Sequence, residues 1–166
     1  MSVRAATAGD VPAILPMVAA ICAMHEQWDM PRYGTLADVV DRYARWLPQR
    51  AADPRSVFLV ADDPAAGTPR GFLIATVIDN IPIYRLREYG FIHDVWVQPD
   101  QRSRGVGRAL VHEAVRRFTA MGITQIRLET AAPNEAARRL FAACGFRGSV
   151  WEMLLETGPR RPDATA

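Results

Sequence analysis

The amino-acid sequence predicts a mixed α/β domain with one parallel crossover. Apolar runs of strand length alternate with apolar stripes at helical spacing, in the order β-α-α-β-β-β-α-β-α-β. A glycine- and arginine-rich loop separates a strand at residues 91–97 from a helix, and a further strand follows that helix. A strand–helix–strand unit of this kind places two parallel strands in one sheet. We expect a single domain over residues 1–156 and a disordered polar tail at 157–166.

The composition argues against several classes of protein. The 166 residues carry a formal net charge of +2, so a general affinity for nucleic acid is not expected. Cys22 and Cys144 lack the spacing of a disulfide framework. The first ten residues lack the apolar core of a signal peptide, and no uninterrupted apolar run approaches the ~18 residues of a membrane span. The sequence therefore predicts a cytoplasmic protein without a membrane partner.

The first half of the chain predicts a strand and two helices. A short strand at residues 3–6 precedes Asp10, which is typical of a helix N-cap. Pro16 lies inside the following stripe and predicts a kink or a late helix start. Residues 25–34 are interpreted as a loop, and a second helix is expected from Thr35 to just before Pro48. The stripes comprise Val11, Ile14, Leu15, Val18 and Cys22 in the first helix, and Leu36, Val39, Val40, Tyr43 and Leu47 in the second.

The second half predicts strands that surround two further helices. Runs at 56–61 and 71–79 are rich in residues that favour strands, and the turn-rich connection between them predicts a hairpin. A helix at 107–121 ends at Gly122, and another runs from Asn134 to Gly145. The other elements are an irregular segment at 80–90, strands at 91–97 and 123–130, and one or two strands at 146–156.

The stretch "QRSRGVGRAL" at residues 101–110 predicts an anion site. Arg102 and Arg104 precede Gly105 and Gly107, and Arg108 follows them, at the start of a helix. A helix N-terminus offers unpaired N–H groups and the positive end of the dipole, and glycines let a phosphate approach the backbone. The simpler alternative is a solvated basic helix start. Because two glycines lie between the arginines, we favour a phosphate or pyrophosphate ligand.

Three other phosphate-binding patterns fit poorly. A Walker loop ends in Gly-Lys-Ser/Thr, which is missing here. A dinucleotide fingerprint requires glycine or alanine where Leu110 stands, and its first glycine directly follows the strand, whereas residues 98–104 intervene here. Glu129 stands at the distance of a ribose ligand, but the loop length argues against that role. The basic cluster is also short for a nucleic-acid site.

The segment "VQPDQRSRGVGRAL" resembles the pyrophosphate loop of the GNAT superfamily of N-acetyltransferases. The signature Gln/Arg-x-x-Gly-x-Gly/Ala falls on Arg102, Gly105 and Gly107. "VRAATAGDVPAIL", "FIHDVWV" and "NEAARRLFAACGF" are similar to the family's first strand and helix, its fourth strand and its later Asn-x-x-Ala…Leu-Tyr…Gly-Phe helix. The resemblance covers Val3 to about Leu155. It implies a mixed sheet of about six to seven strands with a splayed parallel pair, flanked by about four helices.

The resemblance also implies a reaction and a cosubstrate. The reaction is acetyl transfer from acetyl-CoA to a primary amine, carried by a small molecule or a peptide, and a homodimer is compatible with it. Backbone N–H groups of residues 102–108 would hold the pyrophosphate, and the backbone at Val95 and Val97 would pair with the pantetheine arm. Asn134 matches a cofactor-contacting asparagine, and it also fits a helix N-cap. The implied cofactor-binding residues are Val95, Trp96, Val97, Arg102, Ser103, Arg104, Gly105, Val106, Gly107, Arg108, Asn134 and Phe141.

Acetyl transfer requires a base, because an alkylamine has a pKa of ~10.4. Many family members carry a glutamate on the fourth strand, and this chain has His93 there, followed by Asp94. An imidazole titrates near pH 6.5 and can act as a base at neutral pH. In a regular strand His93 shares a face with Phe91, Val95 and Val97. A structural histidine is an equal alternative, and Asp94 and Glu88 are further candidate catalytic residues.

The chain departs from the family at the general acid. The family's tyrosine is Phe141 here, after Leu140, and phenylalanine has no proton to give. Either water, Tyr84 or Tyr89 replaces it, or the thiolate leaves unassisted. This departure leaves a non-catalytic CoA-binding regulatory or interaction module as the alternative function.

The acceptor site is expected in the irregular segments at 25–34 and 80–90. The candidate acceptor-binding residues are Trp28, Tyr33, Tyr84 and Glu88. The chemical identity of the amine does not follow from them.

Three other features of the sequence invite functional interpretations that we do not favour. Cys144 lies on an apolar stripe and is more typical of a core thiol than of a nucleophile. Cys22 and His25 have the spacing of half a metal site but lack a second pair, so no metal is expected. His112 falls on the polar face of its helix, where we expect it to be solvated.

Overall fold

The computed structural model describes residues 2–63 and 67–158, and its strands form one five-stranded sheet in sequence order. The only parallel pairing among the described strands joins the last two, and the other pairings are antiparallel. The predicted α/β class and the parallel crossover are confirmed. The strands are β1 (Ser2–Ala5), β2 (Ser56–Asp62), β3 (Pro69–Asp79), β4 (Glu88–Val97) and β5 (Ile126–Leu128).

Helices cover both faces of the sheet. The helices are α1 (Val11–Trp28), α2 (Met30–Tyr33), α3 (Val39–Ala52), α4 (Val106–Ala120) and α5 (Glu135–Ala143). The first and third pack on one face, and the fourth and fifth on the other. Alternating strand residues therefore supply two separate cores. One contains Phe58, Val60, Phe72, Ile74 and Trp96 beneath α1 and α3, and the other contains Val57, Leu59, Leu73, Ala75 and Ile92 beneath α4.

One face of the first helix belongs to a core. The segment Ala8–Trp28 has the length and mean hydropathy, 1.5, of a membrane span. Its buried residues Val11, Ile14, Met17, Val18 and Ile21 pack against the sheet. Pro16 lies inside the helix, and Pro12 occupies its first turn, where a missing N–H costs nothing.

The connection between α1 and α3 differs from the prediction. Residues 25–28 continue α1, and α2 adds one helical turn, so the predicted loop is largely helical. The next helix starts at Val39 rather than Thr35, because Glu26 accepts hydrogen bonds from Thr35 N (2.8 Å) and Oγ1 (2.5 Å) and holds that residue in the connection. Pro48 lies inside α3 rather than beyond its end, beside the fully buried Leu47, whose packing offsets the lost backbone bond.

Three strand predictions also require correction. β4 begins at Glu88, which shortens the predicted irregular segment. β5 spans only three residues, so it is shorter than predicted. The described residues 146–158 contain no strand, which leaves the sheet with five strands instead of six or seven. The short β5 offers few backbone partners for a sixth strand, and Trp151 and Met153 are exposed. Residues 159–166 of the predicted tail lie outside the described part of the chain.

Candidate active site

A β-bulge in the middle of β4 organises the candidate site. Ile74 of β3 pairs with Asp94, and the next residue, Ala75, pairs with Ile92, so His93 is the extra residue of the bulge. The bulge places His93 and Asp94 on the same face of the sheet, beneath α1 and α3. The prediction that His93 shares its face with Val95 and Val97 is wrong, because the bulge shifts the alternation by one residue.

Aromatic rings and a hydroxyl hold the His93 side chain. Its ring makes edge-to-face contacts with Trp46 of α3 and with Phe91, at centroid distances of 5.5 and 5.1 Å. Its Nε2 lies 2.7 Å from Thr76 Oγ1 on β3. Burial lowers the pKa of His93 below its ordinary value, and the positive charge of Arg50 lowers it further. The imidazole is therefore favoured in the neutral form that a base requires.

Asp94 is a partly buried carboxyl group. Tyr43 of α3 donates its hydroxyl hydrogen bond to Asp94 Oδ2 at 2.8 Å. Burial raises the pKa of Asp94, and the Tyr43 hydrogen bond opposes that shift. The pKa of Tyr43 is raised by burial and by the Asp94 charge, so this phenol stays protonated as a donor. The Tyr43–Asp94 contact joins α3 to the bulge and fixes the strand beside His93.

The structure separates Glu88 from this cluster. Glu88 begins β4, five residues before His93, which is roughly 17 Å along a strand. Its carboxylate accepts a hydrogen bond from Arg55. Tyr84 lies in the hairpin before it and is 54% exposed. Neither residue is brought together with His93.

The carboxyl half of β4 has an open backbone edge. β5 ends at Leu128, opposite Ile92, so the two parallel strands diverge beyond that pair. Gln98 N donates to Arg70 O, toward β3. Because N–H directions alternate along a strand, Val95 and Val97 direct their backbone groups away from β3, into the gap left by β5. Trp96 instead directs its side chain into the core beneath α1 and α3.

The glycine–arginine loop joins this end of β4 to α4, and its backbone conformation is unusual. Ser103 and Gly105 have φ angles of 61° and 82°, in the left-handed region. Gly105 is the N-cap of α4, and no side chain among the described residues caps it. The first intrahelical bond runs from Ala109 N to Gly105 O (3.0 Å). The N–H groups of residues 106–108 therefore point outward from the helix start without an intrahelical acceptor.

The loop arginines are exposed around this helix start. Arg102 donates from Nε to Val97 O at 3.1 Å and stacks over the Trp96 ring at 4.8 Å. Arg104 and Arg108 form no ion pair with the residues that the structure describes. The cluster thus presents positive charge and free N–H groups on one surface, which suits a phosphate group.

The later helix packs beside the loop. A Cβ on Gly107 would lie 3.1 Å from Leu140 Cδ2, so glycine allows α5 to approach the start of α4. Asn134 caps α5, since its side chain accepts from Ala137 N at 3.1 Å. This confirms the N-cap interpretation, and a contact between Asn134 and CoA stays a prediction. Phe141 is buried against Phe146 and the α4 core.

The predicted acceptor residues divide into two groups. Trp28 and Tyr33 both contact the His25 ring, at centroid distances of 5.6 and 5.0 Å. Arg32 between them pairs with Glu129 at 3.6 Å and Glu152 at 2.6 Å, which places α2 beside the end of β5. Tyr84 and Glu88 lie toward the opposite end of β4. The four residues therefore do not form one pocket.

Sequence reasoning missed the residues that surround His93. The helical stripe places Tyr43 in a core, and Trp46, Arg50 and Thr76 belong to no site that the sequence predicts. They come from α3 and β3, so only the fold brings them to the bulge. A usable signal was the helical spacing of Tyr43, Trp46 and Arg50, which places three side chains capable of polar contacts on one face.

The remaining candidates have structural roles. Cys144 packs against the α4 core, and burial raises the pKa of its thiol, so its interpretation as a core residue is confirmed. His112 is exposed, as predicted. Within the described ranges no three metal-ligating side chains cluster. A cavity of about 240 Å³ is lined by Arg50, Asp53, Ser56 and Arg117 among others. Neither His93 nor the glycine–arginine loop lines it.

Comparison with known proteins gives one family and several relatives. The model of the acetyltransferase (GNAT) family matches residues 21–146. The chain is 32% identical over 104 residues to a Methanocaldococcus jannaschii protein named as an uncharacterized N-acetyltransferase, covering 63% of this chain and 43% of that protein. It is 30% identical to the mycothiol acetyltransferase of Nocardiopsis dassonvillei, covering 82% of this chain and 40% of the relative. The chain spans less than half the length of these two curated relatives.

The fold matches solved structures more completely. A tetramutant of the BH1408 protein from Bacillus halodurans superposes with a TM-score of 0.81 at 19% identity, covering 94% of this chain and 99% of that one. At this identity the likeness establishes the fold alone.

Proposed function

Because the chain belongs to the acetyltransferase (GNAT) family, we propose that it transfers an acetyl group from acetyl-CoA to a primary amine by direct attack on the thioester, with His93 as the base. The observation that carries the proposal is the position of His93 at the β4 bulge. There, α3 covers the imidazole and favours its neutral form, and the open strand edge follows directly along β4. We further propose that this activity takes place in the cytoplasm.

The residues of this chain fit the proposed cosubstrate. The uncapped start of α4 and the left-handed Gly105 suit a pyrophosphate. The backbone groups of Val95 and Val97 on the open edge, where the exposed Arg102 side chain donates to Val97 O, suit the amides of a pantetheine arm in the manner of an added strand. Acetyl-CoA supplies an activated acyl group with a good leaving thiolate.

His93 has the properties of a proton acceptor for an incoming ammonium. Its Nε2 is engaged with Thr76 Oγ1, so Nδ1 is the nitrogen available to the acceptor. The Asp94 carboxylate accepts a hydrogen bond from Tyr43, and this contact holds the bulge. The Glu88 carboxylate is paired with Arg55. His93 is therefore favoured over both carboxylates as the base.

The proposed function is tested by single-turnover release of CoA with a panel of amines, read by mass spectrometry of the acetylated product. We expect product with at least one primary amine. Acetyl-CoA should bind far better than acetyl-pantetheine, and the preference should shrink with rising ionic strength because salt screens exposed charges over about 10 Å at 0.1 M. Tight binding of acetyl-CoA without transfer to any amine would instead support the non-catalytic module.

A further inference from the structure

The face of β4 that carries His93 continues as a row of aromatic rings. Four centroid contacts link five rings in the order Tyr43, Trp46, His93, Phe91 and Tyr89, at 5.7, 5.5, 5.1 and 6.5 Å. The row leaves the cover of α1 and α3 at its amino-terminal end, where Phe91 and Tyr89 are only partly buried. We call this end, Tyr89 to His93, the aromatic strip.

Arg127 lies at the Tyr89 end of the aromatic strip. Arg127 pairs with Phe91 across the parallel strands, so both side chains point to the same face of the sheet. Its guanidinium stacks over the Tyr89 ring at 3.9 Å, and its Nε donates to Gln125 Oε1 at 2.6 Å. The two remaining nitrogens of its fork have no partner among the residues that the structure describes.

Arg127 differs from the other partly buried arginines. Within the described ranges every other arginine of this burial class pairs with a carboxylate, and Arg127 does not. The paired arginines are Arg4, Arg32, Arg50, Arg70 and Arg117. The nearest acid on its own strand face, Glu129, pairs with Arg32. A partly desolvated guanidinium without a counter-charge is a ready partner for a planar anion such as a carboxylate.

The separation of His93 and Arg127 sets a length for the ligand. His93 and Tyr89 are four residues apart on β4, which corresponds to roughly 13 Å along the strand. Between them lie Phe91 and its β3 neighbours Thr76 and Ile78, a mostly apolar floor. A ligand on this floor reaches both His93 and Arg127 only if a spacer of about ten ångströms separates its two ends.

We infer that the acceptor amine is joined through an apolar or aromatic spacer to a carboxylate, with the amine at His93, the spacer on the aromatic strip and the carboxylate at Arg127. This inference rests on the proposed function and narrows its acceptor. Either an ω-amino acid or a short peptide with a free carboxyl terminus has this chemistry. An acceptor that is cationic throughout is disfavoured, because both Arg50 and Arg127 border the site.

The test compares matched acceptors that differ only in the carboxylate. Aminohexanoate, aminooctanoate and aminodecanoate are each paired with the alkylamine of equal chain length, and the peptide Ala-Phe-Ala is paired with its carboxamide. The ratio of kcat/KM for acid over neutral partner should reach roughly tenfold at one length, as expected for a charge-assisted hydrogen bond. A preference confined to the peptide pair would identify a peptide acceptor, and one confined to the amino acids a small molecule.

Arg127→Gln supplies the decisive variant. It should bring the acid-to-neutral ratio close to one, whereas Arg45→Gln, an exposed arginine on α3, should leave the ratio as in the wild type. Equal rates for acid and neutral partners at every length, or an unchanged ratio in Arg127→Gln, would overturn the inference. If acetyl-CoA does not bind, the proposed function fails separately, and calorimetric binding of aminooctanoate against octylamine to the wild type and to Arg127→Gln still decides the role of Arg127.

Discussion

The two halves of β4 carry the features of two different proposed sites. Beyond the bulge, the features that suit CoA are mainly backbone groups: the open edge at Val95 and Val97 and the uncapped start of α4. Before the bulge, the features that suit an acceptor are side chains from separate elements: His93, Thr76, Trp46 and Arg127. A backbone site depends on local conformation and tolerates many side chains, whereas a side-chain site depends on tertiary placement. The two should therefore respond differently to substitution.

The largest expected effect is the loss of the base. His93→Ala should lower kcat/KM roughly 100-fold, the usual contribution of a positioned base, while the Kd for acetyl-CoA changes little. In the wild type kcat/KM should rise with pH through an apparent pKa below 6.5, because burial and Arg50 both lower the pKa of His93. The variant should lack this limb, and His93→Glu should recover part of the rate.

The exposed His112 on α4 offers a control, and His112→Ala should behave as the wild type. If His93→Ala retained its rate and pH profile, the imidazole would be structural. If it instead lost affinity for acetyl-CoA, the separation between the two halves of β4 would fail.

The second effect belongs to the backbone site. Gly105→Val forces a branched side chain into a φ of 82°, which costs about 1–2 kcal/mol and redirects the N–H groups at the start of α4. The Kd for acetyl-CoA should rise about tenfold or more, as measured by calorimetry. Gly122 is a matched control, since its φ is 81°, a Cβ there also meets nothing within 4 Å, and it lies at the other end of α4. Gly122→Val should lower the Tm comparably without changing the Kd. Equal Kd values for both variants would remove the loop from the site.

The third effect concerns the hydroxyl that holds His93. Thr76→Val removes the partner of Nε2, so the imidazole loses its fixed tautomer, and kcat/KM should fall up to about tenfold. Thr76→Ser keeps the hydroxyl and should retain most of the rate. Nitrogen NMR of the histidine ring should show protonated Nε2 in the wild type and a mixture of tautomers in Thr76→Val. An unaltered ring spectrum in that variant would contradict the role of Thr76.

The smallest effect is electrostatic. Arg50→Gln removes the positive charge that helps to lower the pKa of His93, so the rising limb of kcat/KM should move to higher pH. Burial remains the larger cause, and the limb should stay below its position for a solvated histidine. Arg45→Gln changes the net charge equally from an exposed position on α3 and should leave the limb in place. A limb that moves to lower pH in Arg50→Gln would show that the sign of this interaction is wrong.

The comparison also explains what the sequence could predict. The glycine–arginine loop and the Asn134 cap are predictable because each depends on residues that are close together in the sequence. The bulge was missed because it depends on the register between Ile74 and Ala75 of a neighbouring strand. Tyr43 belongs to an apolar helical stripe and is predicted as a core residue, since such a stripe does not show which part of it faces a cleft. The sequence does not single out Arg127, because its missing counter-charge appears only once the pairs of the other arginines are known.

The bulge has a consequence in evolutionary terms. The bulge accommodates His93 as one extra residue, so Tyr89 and Phe91 on one side of it and Val95 and Val97 on the other all keep their register with β3. Mutations can exchange the side chains of the acceptor half without altering which backbone groups face the open edge. Deleting His93 would restore regular pairing, with Ile92 and Asp94 still opposite Ala75 and Ile74, so the other side chains of β4 would keep their faces and only the imidazole would be lost. A single backbone irregularity thus adds a histidine to the acceptor face without changing the face of any other β4 side chain.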